Sequence, residues 1–159
     1  MTNDGPHAPQ QPSFEFESDV AAEGYAYWIS KLEGGRLPGR SGIRPGDIPR
    51  LLPHVVLLDV QREPDWNFRY RLIGTRVVEH CHRDYTGVWM ADIPHQQPSG
   101  NLWNSCHLVA EQGVPLCPRT PYEGPRVEFR RTEDVILPLA EDGVVVDTLL
   151  VFVAFLPRI

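Results

Sequence analysis

The sequence predicts an α+β domain built on an antiparallel sheet of about five strands. Strand-like segments occur in pairs towards both ends of the chain, and helix-like segments lie between the two pairs. Strands joined as hairpins are antiparallel, and helices grouped between them pack together against such a sheet. A length of 159 residues and a hydrophobic content of 42% fit one globular domain with its own core.

The amino-terminal part divides into a leader and a helix. Residues 1–17 are rich in Pro, Gln, Asn and Asp without periodicity, which predicts a disordered leader before a single domain at 18–159. A helix is predicted over 18–33. Ser18 is its expected cap, and Gly34-Gly35 its expected end. Its apolar side follows helical spacing with Tyr25, Trp28, Ile29 and Leu32.

Two strands follow a loop that is rich in proline and glycine. The run from His54 to Val60 is almost continuously apolar, which indicates a strand covered on both faces. The segment 68–74 alternates, so Phe68, Tyr70 and Leu72 are expected on one face, with Arg69 and Arg71 on the other. The pair is predicted to form a hairpin.

The helical cover and the second half of the sheet come next. The turn at Gly74 is interpreted as one with strained dihedrals, and Thr75 as the cap of a short helix over 75–81. A longer helix is predicted over 101–113, and an edge strand or extended loop over 113–124. Asp142-Gly143 is the strongest hairpin signal, and the apolar segment after it is predicted to be a long central strand beside the first.

Charge and hydropathy exclude some classes of partner. A net charge of −6 argues against nucleic acid, because phosphate binding needs a concentrated excess of cations. No segment approaches the roughly 20 apolar residues that cross a bilayer, and the first residues lack the basic and apolar parts of a signal peptide. We therefore expect a cytoplasmic protein without a membrane partner.

Three segments resemble a family of short bacterial proteins made of a single divergent PAS-like domain. They are YWISKLEGGRLPGRSGIRPGDIPRLLPHVVLLDV, FRYRLIGTRVVEHCHRDYTG and ILPLAEDGVVVDTLLVFVAF. The resemblance implies a curled five-stranded antiparallel sheet with helices covering one face and an N-terminal flanking helix. It also implies a sensory role, in which a small molecule or a partner protein docks at the helical face.

The helical cover holds the candidate ligand-binding residues. Aromatic and polar side chains converge in many ligand pockets, and the predicted set is Trp103, Cys106, His107, His80 and Tyr85. The cofactor, if there is one, is not specified by the sequence. One alternative is a haem sensor with an axial histidine, for which His107 is the best candidate.

A metal or catalytic site is the less favoured interpretation of these residues. His80 and His82, on either side of Cys81, point to different sides of a helix and do not chelate one metal easily. A small enzyme with a Cys/His site is the other alternative, but sequence neighbours such as Cys106 and His107 are not spatial partners on a helix. The protein is therefore predicted not to be an enzyme.

The expected function is a sensory or signalling module that passes its signal to an unidentified downstream protein. Tyr25, Trp28 and Leu32 are expected to form a homodimer interface or to cap the open sheet. Two forms of the module remain open. The pocket either holds a small molecule, or it is closed by side chains, with Phe152 and Phe155 as candidates to fill it.

Overall fold

The computed structural model describes residues 11–81, 83–121 and 129–157, and it confirms the predicted α+β class. The helices and strands have the following bounds: α1, Asp19–Ser30; β1, Val55–Gln61; β2, Asn67–Ile73; α2, Thr75–Cys81; α3, Asn101–Gln112; β3, Arg119–Pro121; β4, Phe129–Leu139; β5, Thr148–Pro157. Short 3-10 turns connect several of them, including Leu52–His54 and Met90–Asp92.

The strands form one antiparallel sheet in the order β2-β1-β5-β4-β3. The last strand lies in the middle beside the first, as its continuous apolar sequence predicts. Val55 pairs with Phe152 and Leu58 with Leu149. Because neighbouring side chains on a strand point to opposite faces, β1 and β5 supply apolar groups to both sides of the sheet.

Each face of the sheet has its own core. The α1 face carries Val55, Leu137 and Leu150, which pack with Trp28 of α1. The α3 face carries the alternate positions of the same strands, and these pack with α2, α3 and the segment between them. A sheet covered on both sides explains why β1 and β5 lack the alternation of a half-exposed strand.

Helix α1 begins at its predicted cap and ends earlier than predicted. The Ser18 hydroxyl accepts a hydrogen bond from the Ala21 amide at 3.1 Å. The helix stops at Ser30, whereas Gly34 and Gly35 adopt positive φ angles of 58° and 76° in the turn beyond it. The glycines therefore turn the chain after the helix and do not cap it.

Residues 11–17 form neither helix nor strand. The rings of Phe14 and Phe16 lie 5.1 and 5.6 Å from the ring of Tyr25. The Glu17 amide donates a hydrogen bond of 2.9 Å to the Glu133 carboxylate on β4. Residues 1–10 of the predicted leader lie outside the described residues, so the division between leader and domain stays a prediction.

The predicted alternation along β2 fails at Leu72. Leu57 pairs with Leu72 while the next residue, Leu58, pairs with Tyr70, so Arg71 is the extra residue of a β-bulge. A bulge turns the following side chain to the other face. Leu72 is therefore 43% exposed, whereas Phe68 and Tyr70 are buried on the α3 face.

Gly74 is required by a close approach and not by a strained turn. Its φ is not positive, but a Cβ there would lie 2.4 Å from the carbonyl oxygen of Pro53. Thr75 is the first residue of α2, which corrects its predicted role as a cap. Gly74 thus lets the start of α2 pack against the backbone that precedes β1.

The last hairpin has a longer turn than predicted. The Asp142 carboxylate accepts hydrogen bonds of 2.8 Å from the amides of Val144 and Val145, and β5 begins only at Thr148. Val144 and Val145 are consequently exposed and do not belong to the central strand. Across the described ranges, none of the helices has the length and apolar character needed to cross a membrane.

Candidate functional site

The space between the sheet and its helical cover is filled by side chains. Strand β2 contributes Phe68 and Tyr70, α3 contributes Trp103, Cys106 and Val109, and the connecting segment contributes Met90 and Ile93. Phe68, Met90, Cys106 and Val109 have no solvent-exposed surface. This layer is where the predicted ligand-binding residues were expected to converge.

Trp103 and Cys106 point into this layer from one side of α3. The Trp103 ring meets the Phe68 ring edge to face, with 5.1 Å between their centroids. Burial, and to a smaller extent the charge of Asp134, raises the pKa of the Cys106 thiol to about 12. Both residues are therefore components of the core, and the Cys106 sulfur remains a neutral thiol.

Tyr70 forms the main polar contact of the layer. Its hydroxyl donates a hydrogen bond of 2.5 Å to Oε1 of Gln96, and burial raises its pKa above the ordinary value. The predicted site residue Tyr85 is half-buried at the edge of the layer, 6.4 Å from the Tyr70 ring and 6.3 Å from the His95 ring. Tyr85 thus joins the predicted site only at its rim.

His107 lies at the margin of the layer, away from Cys106. Its Nε2 is 3.1 Å from a carboxylate oxygen of Glu111, one helical turn further along α3. Its ring is 4.6 Å from the ring of Trp66, which follows the β1–β2 turn. The imidazole therefore contacts its own helix through Glu111 and the first hairpin through Trp66.

His80 lies on α2 and packs beside the end of β5. Its ring stacks on Phe155 with 3.8 Å between centroids, and its Nδ1 donates to the Arg76 carbonyl oxygen at 2.7 Å. Cys81 is exposed, and His82 lies outside the described residues. Within the described parts of the chain, no group of three His, Cys, Asp or Glu side chains could hold a metal ion.

The five predicted ligand-binding residues therefore do not converge on one point. Trp103 and Cys106 lie inside the layer, Tyr85 at its rim, and His107 and His80 in separate environments. None of the five lines the two open grooves of about 590 and 380 Å³. These grooves lie where the loop after α1 meets the β4–β5 turn, and polar and glycine residues make up most of their walls.

The two phenylalanines proposed to close the pocket have different roles. Phe152 belongs to the α1 face, where its ring lies against Gly24 so closely that a Cβ at that glycine would be 2.4 Å away. Phe155 packs on His80. The layer is instead filled from β2, α3 and the segment around Met90.

Of the three residues predicted to form an interface or a cap, Trp28 is fully buried within a single chain. Its indole Nε1 donates a hydrogen bond of 2.9 Å to the Pro138 carbonyl oxygen of β4. Tyr25 stacks on Trp28, with 6.1 Å between ring centroids, and remains half-buried. Leu32 packs at the edge of the same core. These contacts give Trp28 the geometry of a cap, and self-association stays a prediction.

The order of elements and the central position of β5 agree with the comparison of the sequence with protein families. The model of the PAS domain family matches residues 17–148. This chain belongs to the PAS domain family. The match includes α1, the helical cover and strands β1 to β4, and it ends at the first residue of β5. PAS domains are sensory and signalling modules. No curated protein matches the sequence.

Two features of this PAS domain escaped the sequence analysis. One is the buried Glu133, which accepts hydrogen bonds from Glu17 and Ser18 before α1 and lies 3.3 Å from Arg119. The sequence carried little signal for it, because Glu133 lies in the polar first half of β4, next to Asp134. The other is the exposed Leu72, for which the sequence carries no signal, because the bulge depends on how β1 and β2 pair.

Proposed function

We propose that this PAS domain is a signalling module that binds a partner protein at its surface and holds no small molecule in its interior. The filled layer on the α3 face is the observation that carries the proposal. Phe68, Met90, Cys106 and Val109 occupy this layer without solvent-exposed surface.

The volume that a ligand requires supports this choice. Sites for small organic molecules enclose about 300–1,000 Å³, which corresponds to several large side chains. To accept such a molecule, the layer would have to expel groups such as Trp103 and Met90 from close packing. Each buried aromatic or methionine side chain removed from a core costs about 2–5 kcal/mol.

The proposal excludes catalysis by the Cys/His pair. A cysteine nucleophile needs a thiolate and an adjacent base. Burial raises the pKa of Cys106 far above neutrality, and Nε2 of His107 lies 3.1 Å from the carboxylate of Glu111. The signal would instead pass through contact with the partner, which favours one arrangement of the helices on the sheet over another.

Affinity purification of the tagged chain from the cells that make it tests the proposal. The eluate is analysed by mass spectrometry for both proteins and small molecules. We expect a second protein in a simple ratio to the chain and no small molecule in such a ratio. A stoichiometric small molecule without a protein partner would refute the proposal.

A further inference from the structure

We infer that the outer face of the β1–β2 hairpin is the docking surface for an acidic, partly apolar segment of another protein. The surface, called here the bulge surface, consists of Arg69, Arg71, Leu72 and Trp89. The inference rests on the proposed function and names the class of partner.

The bulge at Arg71 creates this surface. With regular pairing, Leu72 would share the buried face of Phe68 and Tyr70. The extra residue turns Leu72 to the side of its cross-strand partner Leu57, where it is 43% exposed. Leu52, which is 36% exposed, has its carbonyl oxygen close to Gly74 at the same end of the hairpin.

Arg69, three residues before Leu72 on β2, lies together with Trp89. The Arg69 guanidinium is 5.9 Å from the centre of the Trp89 ring, and its Nε donates to the Gly87 carbonyl oxygen at 3.2 Å. These contacts hold the guanidinium in place while it remains exposed. Tryptophan and arginine are the residue types most enriched among those that dominate binding energy at protein interfaces.

The charge of the surface selects an acidic partner. Arg71 lies 3.4 Å from the Asp59 carboxylate in an exposed pair, which contributes little to stability and exchanges readily for another carboxylate. The charges of Arg69, Arg71 and Asp59 sum to one net positive charge on this face, whereas the whole chain has a formal net charge of −6. Carboxylates of the partner would bind the guanidinium groups, and an apolar side chain would cover Leu72.

A second copy of the chain fits this surface poorly. In a two-fold symmetric contact the same patch meets itself, so a face with one net positive charge would meet the equal charge of the other copy. Like charges brought together at an interface oppose association. A head-to-tail contact avoids this repulsion, but it does not close on itself and leads to open assemblies.

Titration of the full chain with two short peptides tests the inference. One peptide alternates Leu with Glu, and the other alternates Leu with Lys. Binding is followed by the amide and indole signals in nitrogen–proton NMR spectra. We expect the Glu peptide to bind at least about tenfold more tightly than the Lys peptide and to shift the signals of Arg69, Leu72 and Trp89.

Matched variants locate the binding. Arg71→Glu is expected to lower the affinity for the Glu peptide about tenfold or more. Arg40→Glu, the same change in an exposed loop, should leave this affinity unchanged. Leu72→Ser should weaken binding, whereas Val144→Ser, at the exposed β4–β5 turn, should not. Asp59→Asn should strengthen binding, because it removes the competing carboxylate.

Several results would overturn the inference. They are equal affinity for the two peptides, no binding of either, shifts centred on another surface, and equal effects of Arg71→Glu and Arg40→Glu. Self-association that Arg71→Glu abolishes would overturn it in favour of a second copy. None of these results bears on the filled interior, so failure of the bulge surface and failure of the proposed function are distinguishable.

Discussion

Gly74 shows how one missing Cβ fixes the start of the helical cover. A Cβ at this position would lie 2.4 Å from the Pro53 carbonyl oxygen and 2.6 Å from that of Leu52. Both contacts are with backbone, which cannot move aside as a flexible side chain does. The path of the chain from β2 into α2 therefore requires glycine at this point.

We predict that Gly74→Ala lowers the free energy of unfolding by about 1–3 kcal/mol through overpacking. The matched control is Gly46→Ala, because no atom lies within 4 Å of the Cβ that it would add and its φ is not positive. Urea unfolding of the two variants and the parent measures the effect. Equal stability of the two variants would contradict the assigned role of Gly74.

Glu133 fixes the chain before α1 to β4. Its buried carboxylate accepts hydrogen bonds from the Glu17 amide, the Ser18 amide and the Ser18 hydroxyl, and Arg119 lies 3.3 Å away. Burial acts to raise the pKa of Glu133, but these hydrogen bonds outweigh it, and the pKa lies below its ordinary value of 4.5. The folded state thus favours the ionised form.

The direction of this pKa shift predicts how stability depends on pH. A lowered pKa contributes stability above the unfolded value near 4.5, and the contribution is lost as the pH falls through the lower folded value. Glu133→Gln should lower the free energy of unfolding by about 1–3 kcal/mol at neutral pH, and by less in acid. Denaturant unfolding at several pH values measures both, and a difference that is constant with pH would argue against the ionised contact.

Helix α1 belongs to the folding unit through Trp28. The indole is fully buried on the α1 face and donates a hydrogen bond to Pro138. Trp28→Phe removes this hydrogen bond and part of the ring, and we expect a loss of about 1–3 kcal/mol in the free energy of unfolding. The exposed Ile29 of the same helix provides the control variant Ile29→Ser.

Sedimentation distinguishes the cap from the interface. Because Trp28 is covered by its own chain, the folded Trp28→Phe protein should sediment like the parent while unfolding at a lower denaturant concentration. A changed oligomeric state with unchanged stability would contradict the burial of Trp28 and support the interface.

The order and type of the elements could be predicted because periodicity and turn residues act locally. The continuous apolar run in β5 predicted its central position, and the helical spacing in α1 predicted the side that carries Trp28. The exposure of Leu72 could not be predicted, since a bulge arises from the pairing of two strands. The hydrogen bonds from Glu17 and Ser18 to Glu133 could not be predicted either, because these residues lie more than 100 positions away in sequence.

Whether the candidate residues line a pocket or fill a core could not be predicted from the sequence, for a physical reason. Aromatic, cysteine and histidine side chains between a sheet and its helices line a pocket or fill a core equally well, and composition does not distinguish the two. Packing decided this case, since Trp103 meets Phe68 edge to face and Cys106 is fully enclosed. His107 contacts Glu111 and Trp66, and His80 contacts Phe155 and Arg76. The sequence did not predict these contacts.

At the scale of the whole molecule, this PAS domain has a sheet covered on both faces, and side chains fill the layer between the sheet and α3. Under the proposed function, its signalling contacts are made at the surface. The bulge surface is the proposed contact, and it lies on the part of the β1–β2 hairpin where Leu72 remains exposed.

Native mass spectrometry of the purified chain tests the central claim, that the interior holds no small molecule, most directly. We predict the mass of the polypeptide alone, as one chain or a multiple of it, with no visible absorbance band in the same sample. An additional small-molecule mass that disappears on denaturation, or a chromophore, would contradict this prediction.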